Sequence, residues 1–243
     1  MMVTVSELAS ESIADGPVDA LDAAVPPTHQ GAATPHGHQA SLKDGLAFVN
    51  TLEYDRGREL DHLATLESAL AWLFDHGLLH RQMRDELVTR LADDEVATTR
   101  LLRRFGRVRA AIRELLVASV ERRSPTDSAL GEVNRALRVH YVTYLVPAPD
   151  GVSLDHRHEG DPVEGALGRL AESVARELTQ GRPERLRVCE NPECRWIFVD
   201  TSHSGRRKWC DMRTCGNRVK VARHRQRRRE EHTPSTEVAD SVA

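Results

Sequence analysis

The stretch that decides the fold of the C-terminal part reads Cys189-Glu-Asn-Pro-Glu-Cys194 and, after fifteen further residues, Cys210-Asp-Met-Arg-Thr-Cys215. These are all the cysteines of the 243-residue chain. Four-coordinate zinc takes four thiolates about 2.3 Å from one point, and two short cysteine loops can supply that geometry. Disulfides are disfavoured in the cytosol, where we expect this chain to reside. The four cysteines therefore predict one closed, structural zinc site rather than disulfides or free thiols.

The residues between the two cysteine pairs predict a hairpin. Trp196-Ile-Phe-Val199 alternates like one arm, Ser202-His-Ser-Gly205 has the composition of a turn, and Arg206-Arg-Lys-Trp209 follows as the return arm. A module of this size has little to bury, so we expect the three aromatic side chains of the two arms to form a small core against the metal. Zinc binding must then supply the stability of the module, on the order of 10–16 kcal/mol of metal-linked folding.

A basic run begins directly after the last cysteine and reads Gly216-Asn-Arg-Val-Lys-Val-Ala-Arg-His-Arg-Gln-Arg-Arg-Arg229. Val219 and Ala222 are three residues apart and can dock one face of a helix on the zinc core, which leaves lysines and arginines around the outer surface. A solvated basic tail is the alternative, because many charge runs are no more than that. This run begins at a metal ligand, so its first turns are expected to be rigidly presented.

The charge of the chain is unevenly distributed. Residues 182–229 contain fifteen Lys and Arg against five Asp and Glu, a net charge of +10, and the remaining residues carry a net charge of −13. An acidic body joined to a strongly basic end is the asymmetry expected when one part of a chain meets a polyanion. The expected partner is a nucleic acid.

Upstream of residue 182 the chain is predicted to be mainly helical. Aromatic residues make up 4% of the chain, and apolar residues recur every three or four positions over several stretches between Leu63 and Leu178. The arginines and glutamates between them fall on the outer faces. One stretch differs, because residues 141–146 favour a strand and residues 147–151 form a turn. We therefore expect a mainly α fold with one β-hairpin in the helical domain.

Few isolated motifs suggest further chemistry. His36 with His38, and His156 with His158, form two His-x-His pairs, but neither pair has an additional ligand set nearby, so we interpret both as solvated. Asp93-Asp94-Glu95 reads as a charged helix start rather than a catalytic carboxylate pair. The sequence contains no Gly-rich phosphate loop, nucleophile elbow or His-Glu-x-x-His motif. No catalytic residue is predicted, and we do not expect an enzyme.

The chain carries no recognisable targeting or membrane segment. No stretch approaches about 18 consecutive apolar residues, and the first fifteen residues lack both a basic and an apolar region of the signal-peptide kind. We expect a soluble cytoplasmic protein without membrane contact.

Four quoted segments resemble the CGNR zinc finger. They are Cys189-Glu-Asn-Pro-Glu-Cys194, Trp196-x-Phe198-x-Asp200-x-Ser202, Arg206-Arg-Lys-Trp-Cys210 and Cys215-Gly-Asn-Arg218-x-Lys220, the last of which contains the four letters that name the family. The resemblance covers about residues 182–228. Phe48-Val-Asn-Thr-Leu52, Trp72-Leu73 and the helical pattern to about Gln180 resemble the ABATE domain that accompanies this finger in bacterial proteins.

The resemblance implies a bacterial, stress-linked transcription regulator whose finger binds DNA. It implies that Cys189, Cys194, Cys210 and Cys215 bind the zinc ion. The residues implied to contact DNA are all basic: Arg206, Arg207, Lys208, Arg218, Lys220, Arg223 and Arg225.

The residues and the resemblance together predict four segments. These are a disordered tail (1–40), a helical ABATE-like domain (41–181), a CGNR-type zinc finger with a basic helix (182–229) and a second disordered tail (230–243). The leading hypothesis is a zinc-dependent regulator that binds double-stranded DNA, with a helical domain that senses a signal or forms a homodimer. An RNA-binding zinc module and a zinc-thiolate redox sensor remain the alternatives.

Overall fold

The computed structural model describes residues 40–55, 58–138, 140–149 and 151–231. Helices dominate these residues, which confirms the predicted mainly α fold. The α-helices are α1 (Leu42–Val49), α2 (Leu66–Asp75), α3 (Arg81–Leu91), α4 (Glu95–Glu121), α5 (Asp127–Ala136), α6 (Pro162–Gln180) and α7 (Asn217–Glu231). The strands are β1 (Leu52–Asp55), β2 (Arg58–Asp61), β3 (His140–Ala148), β4 (Gly151–Glu159), β5 (Leu186–Val188) and β6 (Ile197–Val199).

The two predicted tails, residues 1–40 and 230–243, fall almost entirely outside the described residues and stay predictions. The same holds for the His36 and His38 pair. We call residues 41–181 the helical domain and residues 182–229 the finger. All described residues belong to one compact unit.

Side-chain caps explain where several helices begin. Ser41 precedes α1, and its hydroxyl and backbone amide both bond Asp44, three residues later. Asp94 precedes α4 and accepts a hydrogen bond from the amide of Ala97 (2.8 Å). Such caps satisfy amides that have no partner within the helix. The predicted charged helix start at residues 93–95 is thus a cap followed by an acidic first turn.

Helix α4 lies at the centre of the helical domain and packs against α1, α2, α3, α5 and α6. Phe105, Val108, Ile112 and Leu116 follow one another at three- and four-residue intervals and are each at most 1% exposed. Burial of one such side chain contributes about 1.5–3 kcal/mol. The ring of Phe48 in α1 lies 6.3 Å from that of Phe105, centroid to centroid, which ties α1 to this core.

Two arginines of α4 are buried, contrary to the prediction that its arginines lie on outer faces. Arg104 forms an ion pair with Glu132 and another with Glu164 (2.7 Å), and Arg109 pairs with Asp61 (2.5 Å). Their acidic partners lie on other elements, so the local pattern around α4 gave no sign of them. Buried charges require such partners because the loss of hydration is costly.

The helical domain contains the predicted hairpin and one more. Strands β3 and β4 pair in antiparallel fashion, with Thr143 opposite His156 and Tyr141 opposite His158; the two histidine side chains lie outside what the structure describes. The additional hairpin pairs β1 with β2. Strands of four residues are too short for an alternating pattern to identify them in the sequence.

The finger contains a hairpin, but its partner strand differs from the prediction. Strand β6 pairs with β5, so that Val188 lies opposite Ile197, and the predicted return arm at residues 206–209 is wrong. The first cysteine loop is thus the connection of the hairpin. Leu186 and Ile197 are 1% exposed and belong to the same core as Phe48. Trp196 is 37% exposed, so the prediction of a separate aromatic core in the finger is also wrong.

None of the helices in the described ranges combines the length and the apolar character needed to span a membrane.

Candidate metal centre and basic helix

The first cysteine pair closes the β5–β6 hairpin. The amide of Cys189 donates to the carbonyl of Trp196 (2.8 Å), and the amide of Cys194 donates to the carbonyl of Asn191 (2.9 Å). Asn191 is 3% exposed, and its side-chain oxygen accepts from the amide of Glu193 (3.2 Å). This Asx turn folds the four residues between the two cysteines tightly enough to bring the thiols together.

The second pair ends in a π-helical turn, Met212–Gly216. Asp211 caps it by accepting from the amide (2.8 Å) and the hydroxyl (3.1 Å) of Thr214. Gly216 packs so closely that a Cβ atom there would collide with the sulfur of Met212 and touch the ring of Trp209. Cys215 is 5% exposed within this turn, which continues directly into α7. The basic helix therefore begins at a buried thiol.

The four predicted zinc ligands meet at one point. The Sγ atoms of Cys189, Cys194, Cys210 and Cys215 all lie within 4.8 Å of one another. Cys210 Sγ is 3.6 Å from both Cys194 Sγ and Cys215 Sγ. A tetrahedron with Zn–S bonds of about 2.3 Å has S–S edges of about 3.8 Å. The donor set and its dimensions thus fit a structural metal site with no open coordination position.

The electrostatics of the thiol cluster also favour a cation. Hydrogen bonding with Cys210 lowers the pKa of Cys194 to about 5, and the same interaction raises the pKa of Cys210 far above its usual value. Burial raises the pKa of Cys189. A divalent ion stabilises all four thiolates together.

A buried carboxylate fixes the loop between the two cysteine pairs. Asp200 is 1% exposed, and it accepts hydrogen bonds from the hydroxyl (2.6 Å) and amide (2.9 Å) of Ser202 and from the amide of Arg207 (2.8 Å). These bonds, led by that from the Ser202 hydroxyl, lower the pKa of Asp200 to about 2. Arg187 adds a hydrogen bond to the carbonyl of Gly205 (2.9 Å). The loop is therefore ordered by the chain itself as well as by the cysteines.

Of the predicted DNA-contact residues, two bond other groups of the finger and the others are exposed. Arg207 is half-buried and donates to the carbonyls of Trp209 (2.9 Å) and Cys210. Lys208 forms a surface ion pair with Glu190 (3.3 Å). The remaining predicted contact residues are exposed, one on the loop and four on α7: Arg206, Arg218, Lys220, Arg223 and Arg225.

Helix α7 is exposed along almost its whole length. Val219 is half-buried, whereas Ala222, its predicted docking partner, is exposed. Among the described residues, its main packing partner is the π-helical turn. A shallow groove runs between the first cysteine loop and one face of the helix, and it is lined by Glu193, Arg213, Asn217, Arg218, Val221 and Arg225.

Two contacts between the helical domain and the finger were not predicted. The side-chain amide of Asn50 pairs with the backbone of Ile197, and Arg113 donates to the carbonyl of Arg195. Asn50 gave a usable signal, since an amide in the apolar run of residues 48–52 needs a hydrogen-bond partner if it is buried. Arg113 gave none, because arginine is common on exposed helix faces.

Comparison with known protein families agrees with this architecture. The CGNR zinc finger model matches residues 185–228, and the ABATE model, described as "Putative stress-induced transcription regulator", matches residues 45–181. A search of curated proteins gave no significant match. The second of these models spans more than half of the chain. The protein therefore belongs to the ABATE family and carries a C-terminal CGNR zinc finger.

Proposed function

We propose that this protein is a DNA-binding transcription regulator whose finger depends on one structural zinc ion. Cys189, Cys194, Cys210 and Cys215 would hold the ion as thiolates, and the ion would supply a rigid tetrahedral cross-link between the two cysteine loops. The observation that carries the proposal is that α7 begins two residues after Cys215 and exposes basic side chains on all sides.

The charge of α7 suits a polyanion. Residues 217–231 include seven Lys and Arg against two Glu. A helix with so much positive charge on every face is stabilised by nearby anions, and the major groove of B-DNA has the width to admit one α-helix. Phosphate neutralisation would provide most of the affinity.

The two sides of α7 suit different contacts with DNA. Lys220 and Arg223 lie away from the groove and match phosphate oxygens. Asn217, Arg225 and Glu193 line the groove and have the side-chain types that read adenine, guanine and cytosine edges. We assign Arg207 to the support of the metal loop rather than to DNA, since its guanidinium bonds backbone carbonyls.

The remaining parts of the proposal follow from the same features. A site with four thiolate ligands leaves no position for a metal-bound water, so we propose a non-enzymatic protein. The helical domain would sense a signal or mediate dimerisation.

The test combines metal analysis with binding measurements on the full chain. We expect one zinc per chain by elemental analysis and recovery of discrete genomic DNA sites by the intact protein but not by Cys210→Ser. With about six phosphate contacts, log K should fall against log salt with a slope near −5. Lys220→Ala should flatten the slope by about one, while Arg100→Ala, which removes an exposed arginine of α4, should leave it unchanged. Salt-independent affinity would exclude the proposal.

The same samples distinguish the two alternatives. Preference for structured RNA over duplex DNA in direct competition would indicate an RNA-binding module. Release of zinc at low peroxide, with loss of nucleic-acid binding, would indicate a redox sensor.

A further inference from the structure

A side chain of the helical domain pairs with the backbone of the finger next to the metal site. Asn50 Nδ2 donates to the carbonyl of Ile197 (2.9 Å), and Asn50 Oδ1 accepts from the amide of Ile197 (3.0 Å). Asn50 is 8% exposed and Ile197 is 1% exposed. Two reciprocal bonds fix both the position and the orientation of β6, and burial makes each of them costly to lose.

The helical domain also contacts Arg195, the residue that follows the predicted zinc ligand Cys194. Arg113 of α4 donates to the carbonyl of Arg195 (2.6 Å), directly after Cys194. Arg195 has a positive φ of 57°, and its guanidinium carbon lies 5.1 Å from the ring centroid of Tyr54. A non-glycine residue in the left-handed region needs surrounding contacts to hold it there. Here these contacts come from the helical domain.

The other ligand of the first pair is attached through the same strands. Cys189 donates its amide to the carbonyl of Trp196, and the preceding Val188 pairs with Ile197. Leu186 and Ile197 are part of the core of the helical domain. Both Cys189 and Cys194 are therefore held by groups outside the metal site.

The second pair of ligands is attached differently. Cys215 lies in the π-helical turn. Among the described residues, this turn packs mainly against α7. Upstream, the backbone of Glu190 bonds that of Lys208 (2.9 Å), and Asp200 bonds the amide of Arg207. These contacts, together with the hydrogen bond from Arg207 to the carbonyl of Cys210, hold the loop as far as Cys210 but not the turn that carries α7. In the described residues, the thiol cluster is thus the main link between α7 and the helical domain.

We propose that Asn50 and Arg113 are positioning residues for the metal site. They hold the Cys189 and Cys194 half of the site in its ligating geometry, so that the turn with Cys215, and α7 with it, is the main part that has to be ordered when the ion binds. Metal affinity is then coupled to the packing of the helical domain, and metal loss releases α7 while β5 and β6 stay folded. This inference rests on the zinc site of the proposed function.

Zinc affinity of matched variants tests the positioning role. Asn50→Ala should weaken zinc binding at least tenfold, as is typical when a group that orients a metal ligand is removed, about 10–100-fold. Thr51→Val is the control: Thr51 is the next residue, is 6% exposed, and hydrogen-bonds Phe48 and Arg109 within the helical domain. It should lower the thermal stability and leave zinc affinity within about twofold of wild type. Competition with a chromophoric chelator and the thiolate-to-cobalt spectrum measure these affinities.

A second pair of variants covers the case in which Asn50→Ala does not fold. Arg113→Ala removes one hydrogen bond to Arg195 and should also weaken zinc binding, whereas Arg103→Ala, on an exposed position of the same helix, should not. Unchanged zinc affinity in Arg113→Ala and in any folded Asn50→Ala would overturn the positioning role.

Hydrogen exchange of the wild-type protein tests the two-part arrangement. After chelation, amides of residues 186–199 should stay protected while those of residues 211–231 exchange rapidly. Simultaneous loss of protection in both segments would overturn it. A wild-type protein that binds no zinc under any condition would instead refute the proposed function itself, so the two failures are distinguishable.

Discussion

The guanidinium of Arg207 stacks on the ring of Phe198, with the guanidinium carbon 5.0 Å from the ring centroid. The same group donates to the carbonyls of Trp209 and Cys210, so it bridges β6 and the start of the second cysteine pair. Its neighbour Arg206 is exposed. Two adjacent arginines of one basic run therefore have different roles, which variants can separate.

Replacement of Arg207 by Ala should weaken the metal loop. It removes two hydrogen bonds from a charged donor and a cation–π contact, together about 3–4 kcal/mol. Zinc transfer to excess chelator should become at least tenfold faster, since about 1.4 kcal/mol corresponds to a factor of ten. Arg206→Ala should leave this rate unchanged and weaken DNA binding. Equal zinc-transfer rates in the two variants would show that Arg207 does not support the loop.

The buried pair of Arg109 and Asp61 should contribute to the stability of the helical domain. Arg109 is 6% exposed, and its replacement by Ala removes the arginine partner of Asp61 and of Thr51. Loss of one member of a fully buried pair costs roughly 3–5 kcal/mol. Because the Asp61 side chain is 35% exposed and keeps some hydration, we expect about 2–3 kcal/mol. Urea unfolding followed by circular dichroism measures this loss.

The control for Arg109 is an arginine in a surface pair. Arg176 bonds Glu172 one turn away on α6, and its side chain is 55% exposed. Arg176→Ala should cost about 0.2–0.5 kcal/mol. Similar losses in the two variants would contradict a special contribution of the buried pair.

Asp61 should also make stability depend on pH. Partial burial raises its pKa, but hydrogen bonds from Arg109 and from the amide of Leu63 outweigh this and hold the pKa below the usual value. A carboxyl whose pKa is lower in the folded state stabilises the fold above its unfolded pKa of about 3.9, and this contribution is lost as the pH falls through the folded pKa.

Wild type and Asp61→Asn should therefore differ most near neutral pH. We expect the difference in unfolding free energy to be constant above about pH 5 and to shrink below about pH 4, as Asp61 in the wild type takes up a proton. Protonation of the cysteines affects both proteins alike and cancels in the difference. A difference that stays constant into the acid range would exclude Asp61 as the source.

The helical fold and the cysteine cluster were predictable because their signals are local. Phe105, Val108, Ile112 and Leu116 show the helical period within twelve residues, and the thiols of Cys189 and Cys194 lie close together because a short loop joins them. The partner strand of β6 was not predictable in this way. Leu186 and Val188 form too short an apolar segment to compete with the more conspicuous turn at residues 202–205.

The contacts that join the finger to the helical domain were beyond sequence reasoning for a different reason. Asn50 and Ile197 are 147 positions apart, and Ile197 takes part through its backbone, which every residue possesses. The buried arginines Arg104 and Arg109 pose the same problem. Nothing in a helix of regular amphipathic pattern distinguishes them from their exposed neighbours until the acidic partners on other elements are placed.

Helix α1 approaches α6 closely, and Asn50 directly follows α1. A Cβ atom added to Gly45 would lie 2.6 Å from Val174 Cγ2 and 2.8 Å from Ser173 Oγ, both on α6. Gly45→Ala should therefore push the helices apart and destabilise the protein by about 1–3 kcal/mol. Gly131 in α5 has no atom within 4 Å of its added Cβ. Gly131→Ala should stabilise by about 0.5–1 kcal/mol, because alanine is the better helix former.

Thermal unfolding of the two alanine variants measures this contrast. For a domain of this size, 1 kcal/mol shifts Tm by about 2–4 °C, so Tm should fall in Gly45→Ala and rise in Gly131→Ala. Since a displaced α1 moves Asn50 away from Ile197, Gly45→Ala should also weaken zinc binding, whereas Gly131→Ala should not. A gain in Tm for both variants would mean that α1 and α6 tolerate the extra methyl group and that this approach does not set the position of Asn50.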